Sequence, residues 1–235
     1  MQKLFGTDGI RAAAGEYPLG EPSVRTLGRA LADLLQAEGL PPRILIGRDT
    51  RESGDWIEEA LIRGISSAGG QCASAGIIPT SAVSHLARTF AFSAGIGVSA
   101  SHNPYEYNGI KIFGPEGVKL PDAAEFEIEQ IVLDKVKPYS LRWGWELGRI
   151  QQGENLIETY IGHLCGAVEG DLSGLRVVVD CSNGSACATA NRLFHLLRAD
   201  ATFLNNQPNG VNINRECGST HIEKLSEYVQ SGQYD

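Results

Sequence analysis

Residues 94–113, Ala-Gly-Ile-Gly-Val-Ser-Ala-Ser-His-Asn-Pro-Tyr-Glu-Tyr-Asn-Gly-Ile-Lys-Ile-Phe, decide how the chain is read. Ala94 to Val98 is a short apolar run bounded by turn residues, the pattern of a buried strand. Ser99 and Ala100 are small enough for a sharp turn, so the hydroxyl of Ser101 stands at the carboxyl end of that strand, where open α/β sheets bind ligands. Pro104 fixes its own φ and biases Asn103 towards an extended backbone, which stiffens the loop. Lys111 follows ten positions after Ser101 on another strand-like run. A serine on a rigid base with a cation nearby suggests a nucleophile.

Outward from this stretch, strand and helix patterns alternate. Val24, Leu27, Leu31, Leu34 and Leu35 recur at helical spacing, with Gly39 as carboxyl cap. Arg43 to Gly47 reads as a strand, 49–54 as a polar loop, Trp56 to Ala68 as a helix and Cys72 to Ile77 as a strand. Val83, Leu86, Ala87 and Phe90 mark a helix face before Ala94. Alternation of this kind predicts a mostly parallel sheet covered by helices. Ile110 to Phe113 and Val118 to Leu120 flank Gly114-Pro-Glu-Gly117 as a hairpin, which makes the sheet mixed. Asp122 to Asp134 is a charged amphipathic helix. No sustained period runs from Lys135 to about Gly153, so a linker falls at 138–153, dividing a first unit at 1–137 from a second at 154–235. The second begins with a helix at Ile157, a strand at Leu175 to Val179 and a Ser-Asn-Gly turn into a helix that reaches Leu197; after Ile222, Leu225 and Val229 no further strand follows. The fold class expected is α/β, a mixed, mostly parallel three-layer sandwich with an incomplete second α/β domain.

Composition narrows the function classes. The chain has 235 residues, 42% hydrophobic and 20% charged. That suits a globular protein with room for two cores. No apolar run approaches the roughly 20 residues of a membrane span, and no signal-peptide core follows Met1, so the expectation is a cytoplasmic protein with no membrane partner. Five cysteines without a CxxC pair argue against a disulfide framework or a zinc site and read as reduced buried thiols. A net charge of −8 disfavours a nucleic-acid partner. It leaves room for a small anion, which needs only a local cluster of cations and backbone amides.

The loop around Ser101 resembles the phosphoserine loop of the α-D-phosphohexomutases. Phe5-Gly-Thr-Asp-Gly-Ile-Arg11, Gly47-Arg-Asp-Thr-Arg-Glu-Ser-Gly54 and Asn212-Ile-Asn-Arg-Glu-Cys-Gly-Ser-Thr-His221 resemble further motifs of that family, in its order. The first and last are most similar to the branch that interconverts glucosamine 6-phosphate and glucosamine 1-phosphate. The resemblance implies a small-molecule sugar phosphate as partner, a phosphorylated Ser101, Mg2+ bound through that phosphate, and a hexosamine 1,6-bisphosphate as intermediate and activator. The three aspartates that hold the metal in the family are missing from this chain, which therefore reads as an amino-terminal portion, inactive by itself. A homodimer is compatible with the sequence.

The resemblance makes Ser101, His102, Lys111 and Arg11 the candidate catalytic residues and Thr7, Gly9 and Lys119 the candidate substrate-binding residues. His102 either exchanges a proton with the attacking hydroxyl or orients Ser101 through hydrogen bonds. Lys111 neutralises phosphate or acts as an acid or base. Asp8 shapes a turn. Asp49 and Thr50 are candidates to cap the next helix and Arg51 to orient a carboxylate; Asn183-Gly184 reads as a structural turn, and Gly218-Ser-Thr-His221 as a helix cap or a phosphate site. His85, His163 and His195 read as packing or surface residues. Alternatives are a sister activity on glucose or mannose phosphates and a non-catalytic binding fragment. A serine hydrolase is the weakest alternative, because Ser101 and His102 are adjacent and no GxSxG elbow is present.

Overall fold

A computed structural model describes residues 4–134, 156–232 and 234–235. The expected linker at 138–153 lies outside the described residues. Elements follow in the order β1 (Ile10–Ala13), α1 (Glu21–Ala37), β2 (Arg43–Arg48), α2 (Ser53–Ser67), β3 (Gln71–Ile77), α3 (Thr80–Thr89), β4 (Ala94–Val98), β5 (Tyr107–Phe113) and α4 (Asp122–Asp134). After the undescribed segment come α5 (Leu156–Gly166), β6 (Arg176–Asp180), a 3-10 turn (Ser185–Ala188), α6 (Ala190–Leu196), β7 (Asp200–Leu204) and α7 (Glu223–Ser231).

The first unit is a five-stranded sheet in the order β1-β5-β4-β2-β3. Strands β4, β2 and β3 pair in parallel, while β5 runs antiparallel to both β4 and β1. The sheet is therefore mixed, with β5 alone reversed. Period-2 alternation sorts the side chains into two cores. Ile44, Ile46, Ile96, Val98, Ile110 and Ile112 face α1, α2 and α4, whereas Leu45 and Ala73 face α3 and α5. Wholly buried isoleucines and leucines such as Ile44, Ile46, Leu31 and Leu61 each contribute about 2 kcal/mol of transfer free energy. Helices on both faces of the sheet give the three layers expected, and all five residues of β4 are buried as its apolar run requires.

The turn after β5 corrects the sequence reading. Val118 to Leu120 returns antiparallel to the end of β5, through a bridge between Phe113 and Lys119 and bonds from the Gly114 amide to the Val118 carbonyl at 2.8 Å and from the Leu120 amide to the Ile112 carbonyl at 3.2 Å, but is too short to form a second strand. The antiparallel character comes instead from β5 pairing back onto β4 and β1. In the second unit, β6 and β7 form a two-stranded parallel sheet. Strand β7 occupies a stretch where no strand was expected. Helix α5 lies across both parts: Leu156 and Tyr160 belong to the core beneath α3, while Glu158 meets Arg192 of α6 at 3.6 Å. Among the described residues no helix is long and apolar enough to cross a membrane.

Candidate functional site

Strand β4 places the reactive loop because its neighbours leave it little freedom. Gly97 faces α3, and a methyl group there would come within 3.0 Å of the Thr80 side chain, so the helix packs directly on the strand's carboxyl end. Beyond Val98 the Ser99 hydroxyl accepts from the Ser101 amide at 3.1 Å, and the Asn103 amide reaches the Ala100 carbonyl at 3.2 Å. These bonds wind the chain so tightly that Ser101 adopts φ +58°, a left-handed conformation that disfavours a side chain by about 1–2 kcal/mol. Its side chain is exposed.

What offsets that strain is a clamp on the far side of the loop. One terminal nitrogen of Arg51 donates to the carbonyls of Ser101 at 3.2 Å and Asn103 at 2.6 Å. The side-chain amide of Asn214 donates to the same two oxygens at 2.8 and 3.0 Å. Each NH2 group has two hydrogens and each carbonyl two lone pairs, so the four bonds use both inventories. Arg51 is itself wholly buried, and its other terminal nitrogen pairs with the buried carboxylate of Asp49, which also accepts from the Arg51 amide at 3.1 Å. Burial pushes the guanidinium below its ordinary range, and the Asp49 charge opposes that shift. Orienting a neighbouring carboxylate was anticipated for Arg51, and Asp49 is that carboxylate; gripping the serine loop was not anticipated.

The expected helix caps are not formed. No side-chain bond caps α2, because Asp49 turns to Arg51 and the Thr50 hydroxyl donates to the Asn183 carbonyl. Helix α7 begins with Ile222 at its cap position, again without a side-chain bond. Instead the 212–221 segment folds against the end of β6. Asp180 accepts from the amides of Ser182 and Gly218, both at 2.8 Å, and from the Asn205 side chain at 2.9 Å. Asn214 is held in turn by its amide, which donates to the Ser182 carbonyl at 2.9 Å.

Between the two units lies a cleft of about 280 Å³, lined among others by Ser99, Ser101, His102, Cys181, Asn214 and Ser219. Ser101 and His102 therefore share one cavity, both exposed to it. Arg11 stands on β1, where it pairs in register with Gly109; a methyl group on Gly109 would lie 2.7 Å from the Ser99 carbonyl and 3.2 Å from the Arg11 side chain. The Arg11 guanidinium meets Asp8 at 3.1 Å. Thr7 and Asp8 form the exposed tip of a tight turn closed by two bonds between Gly6 and Gly9. Gly9 is at φ +85°, and a methyl group there would lie 2.3 Å from the Ile110 carbonyl and 3.1 Å from the Lys111 side chain. Arg11, Gly9 and Lys111 thus cluster on β1 and β5 beside the serine strand, though outside the cleft lining. Lys119 does not join them: its ammonium donates to Glu125 at 2.8 Å and Asp122 at 3.2 Å, bonds that raise its pKa and tie it to the start of α4.

The remaining histidines hold one unanticipated contact. His85 and His163 stack with ring centroids 3.8 Å apart, joining α3 to α5. Asn214 and Cys181 were not foreseen as cleft residues, whereas Ser219 belongs to the segment read as a helix cap or a phosphate site. Their convergence has no local signal, since the Asn214 contacts span 113 and 111 positions.

Magnesium needs several hard oxygen donors. Among the described residues no group of three or more His, Cys, Asp or Glu side chains is arranged to hold a metal ion. The donor set for that ion is thus not assembled by them, and Ser101 could supply only a phosphate oxygen.

The chain is 45% identical over 230 residues to phosphoglucosamine mutase from Acetivibrio thermocellus, covering 97% of this chain and 51% of that protein. It is 47% identical over 229 residues to phosphoglucosamine mutase from Moorella thermoacetica, with the same shares covered. It spans about half the length of the curated relatives it matches. Among solved structures, a phosphoglucomutase/phosphomannomutase family protein from Burkholderia thailandensis superposes with a TM-score of 0.81 at 24% identity, over 100% of this chain and 51% of that one. The open form of the Paramecium protein pp63/parafusin, a phosphoglucomutase, superposes with a TM-score of 0.69 at 19% identity over 89% of this chain and 44% of that one. Both likenesses are of fold. The model of phosphoglucomutase/phosphomannomutase alpha/beta/alpha domain I matches residues 2–138, more than half of the chain, and includes the serine loop, the Gly6–Gly9 turn and the Arg51 clamp, so the chain belongs to the phosphoglucomutase/phosphomannomutase family.

Proposed function

We propose that this chain carries the phosphoserine half of a phosphoglucosamine mutase, a cytoplasmic enzyme that interconverts glucosamine 6-phosphate and glucosamine 1-phosphate. What supports the reading most is the clamped, exposed Ser101, held at φ +58° at the mouth of the cleft by Arg51 and Asn214. An alcohol is a poor nucleophile, but as a phosphate ester it is a stored phosphoryl donor carrying about −1.5 to −2 charges. In the forward step a sugar hydroxyl attacks the phosphorus, the bond from phosphorus to the Ser101 oxygen breaks, and that oxygen regains a proton. The product is a hexosamine 1,6-bisphosphate. Return of its other phosphoryl group to the Ser101 oxygen completes the cycle.

Uncatalysed phosphate-monoester cleavage is so slow that positioning and charge neutralisation must lower the barrier by roughly 20 kcal/mol. Arg11 and Lys111, clustered beside the serine strand, are suited to neutralise the phosphoryl oxygens, with Gly9 and Thr7 shaping the turn that brings Arg11 there. His102, which lines the cleft, is the residue proposed to exchange the proton. Mg2+ belongs to the proposal as the ion on the phosphate, with its carboxylate donors coming from beyond the described residues. Lys119, engaged by Glu125 and Asp122, is the least suited of the proposed substrate-binding residues.

The experiment is intact-mass measurement with peptide mapping, followed by turnover of the intact polypeptide with glucosamine 6-phosphate. One phosphate on Ser101 is expected, with loss of both the phosphate and turnover to background in Ser101→Ala. Full turnover by that variant would refute the reading. A second reading, glucose or mannose phosphates as substrates, is favoured by the family model's own phosphoglucomutase/phosphomannomutase description. A strong preference for glucose 1-phosphate over glucosamine 6-phosphate would establish it.

A further inference from the structure

Three cysteines gather at the end of β6: Cys181 directly after the strand, Cys187 in the 3-10 turn and Cys217 in the segment folded over Asp180. Nothing in the phosphoryl-transfer reading uses them. Two consecutive turns bring the first pair together, since the Gly184 amide donates to the Cys181 carbonyl at 2.8 Å and the Cys187 amide to the Gly184 carbonyl at 3.1 Å. Both cysteines also meet the end of β7. The Cys181 amide donates to the Leu204 carbonyl at 3.0 Å, and the Cys187 thiol points at the Asn205 carbonyl at 3.8 Å.

The two thiols are not equivalent. Cys181 is 3% exposed, whereas Cys187 is half-buried and open to small solutes. A hydrogen bond from Cys181 stabilises the Cys187 thiolate and holds its pKa below the ordinary thiol value. The same bond, with burial, pushes Cys181 up, so it remains the proton-bearing partner. An accessible thiol made more acidic by a buried second thiol is the arrangement of a reactive cysteine with a resolving one.

We propose that Cys187 and Cys181 form a peroxide-sensitive thiol pair in the wall of the cleft, closing to a disulfide on oxidation. The Cys187 thiolate attacks the O–O bond of hydrogen peroxide, giving a sulfenic acid and, with a proton from solvent, one water. The Cys181 sulfur then attacks the sulfenic sulfur. Its proton leaves with the hydroxyl group as a second water, and the S–S bond forms. Two thiols are oxidised and one peroxide is reduced to two waters. Cys181, Ser185 and Ala186 all line the cleft, so the covalent link fixes the wall opposite Ser101.

The test is treatment of the intact polypeptide with hydrogen peroxide, followed by thiol titration and non-reducing peptide mapping. A Cys181–Cys187 bridge that a dithiol reverses is expected. In Cys187→Ser the bridge should disappear and the rate of thiol loss fall by at least about tenfold, while Cys217→Ser should oxidise like the parent. Circular dichroism shows whether each variant is folded. Failure of the parent to form this bridge, a bridge that uses Cys217 instead, or unchanged thiol loss in folded Cys187→Ser would each overturn the proposal. None of these readouts depends on mutase activity.

Discussion

Removing the guanidinium of Arg51 should damage the protein far more than its single position suggests. Its side chain is 0% exposed and that of Asp49 is 4% exposed, so Arg51→Ala strands a carboxylate in the interior and leaves the serine loop on Asn214 alone. Breaking a buried ion pair by deleting one partner costs about 3–5 kcal/mol. For a chain of this size each kcal/mol lowers the melting temperature by about 2–4 °C, which puts the expected drop between about 6 and 20 °C. Two comparisons isolate the cause. Asn214→Ala removes two hydrogen bonds of a half-buried amide and should cost only about 1–2 kcal/mol. The double variant Asp49→Asn/Arg51→Met removes both charges and should recover much of the loss, because no unpaired charge is then left in the interior. Thermal unfolding followed by circular dichroism reads all three. An Arg51→Ala loss under about 1 kcal/mol, or no recovery in the double variant, would refute the argument from an uncompensated buried charge.

Gly9→Ala should destabilise by at least about 2 kcal/mol, since the residue combines φ +85° with a carbonyl 2.3 Å from where the methyl group must go; a melting temperature within a degree of the parent would contradict this. The stacked histidines give a pH dependence. Burial first, then the charges of His163 and Arg88, lower the pKa of His85 from its ordinary value of 6.5, while its Nε2 lies 3.3 Å from the Thr89 hydroxyl and Tyr160 faces its ring. The unfolded chain therefore binds the proton more readily than the folded one, so stability is fully present above about pH 6.5 and is lost as pH falls through the folded-state value. His85→Gln should flatten the decline in melting temperature between pH 7.5 and pH 5; an unchanged slope would count against it.

Much of the fold was legible where one physical signal dominated. The apolar run at Ala94–Val98 and the amphipathic Asp122–Asp134 were read with the boundaries observed, because burial on both faces and helical periodicity each leave an unambiguous pattern. Strand β1, four residues long, and β7, which opens on Asp200 and is only partly buried, carry too little periodicity to stand out. The turn after Phe113 misled because Gly-Pro-Glu-Gly is good turn chemistry whether or not a strand follows. At the candidate site the serine loop and the Gly6–Gly9 turn announce themselves by small residues at fixed spacings. The clamp does not, since its acceptors are main-chain carbonyls that every residue possesses. Asp49 and Thr50 look like helix caps because a short polar side chain before a helix has that role nearby; Asp49 is taken instead by Arg51 two positions on, and only a tertiary contact reveals that Asn183 takes Thr50.

The grip of Asn214 on the carbonyls of Ser101 and Asn103 reaches across 113 and 111 positions, and this has an implication for biosynthesis. During translation at about 5–20 residues per second, the serine loop leaves the ribosome many seconds before the asparagine that completes its support. A nascent chain ending short of that asparagine can already pair its five strands, yet its future phosphate acceptor is braced from one side only. Under the proposed function, competence for phosphorylation is thus acquired late, as a property of the docked pair of units rather than of the unit that contains the serine.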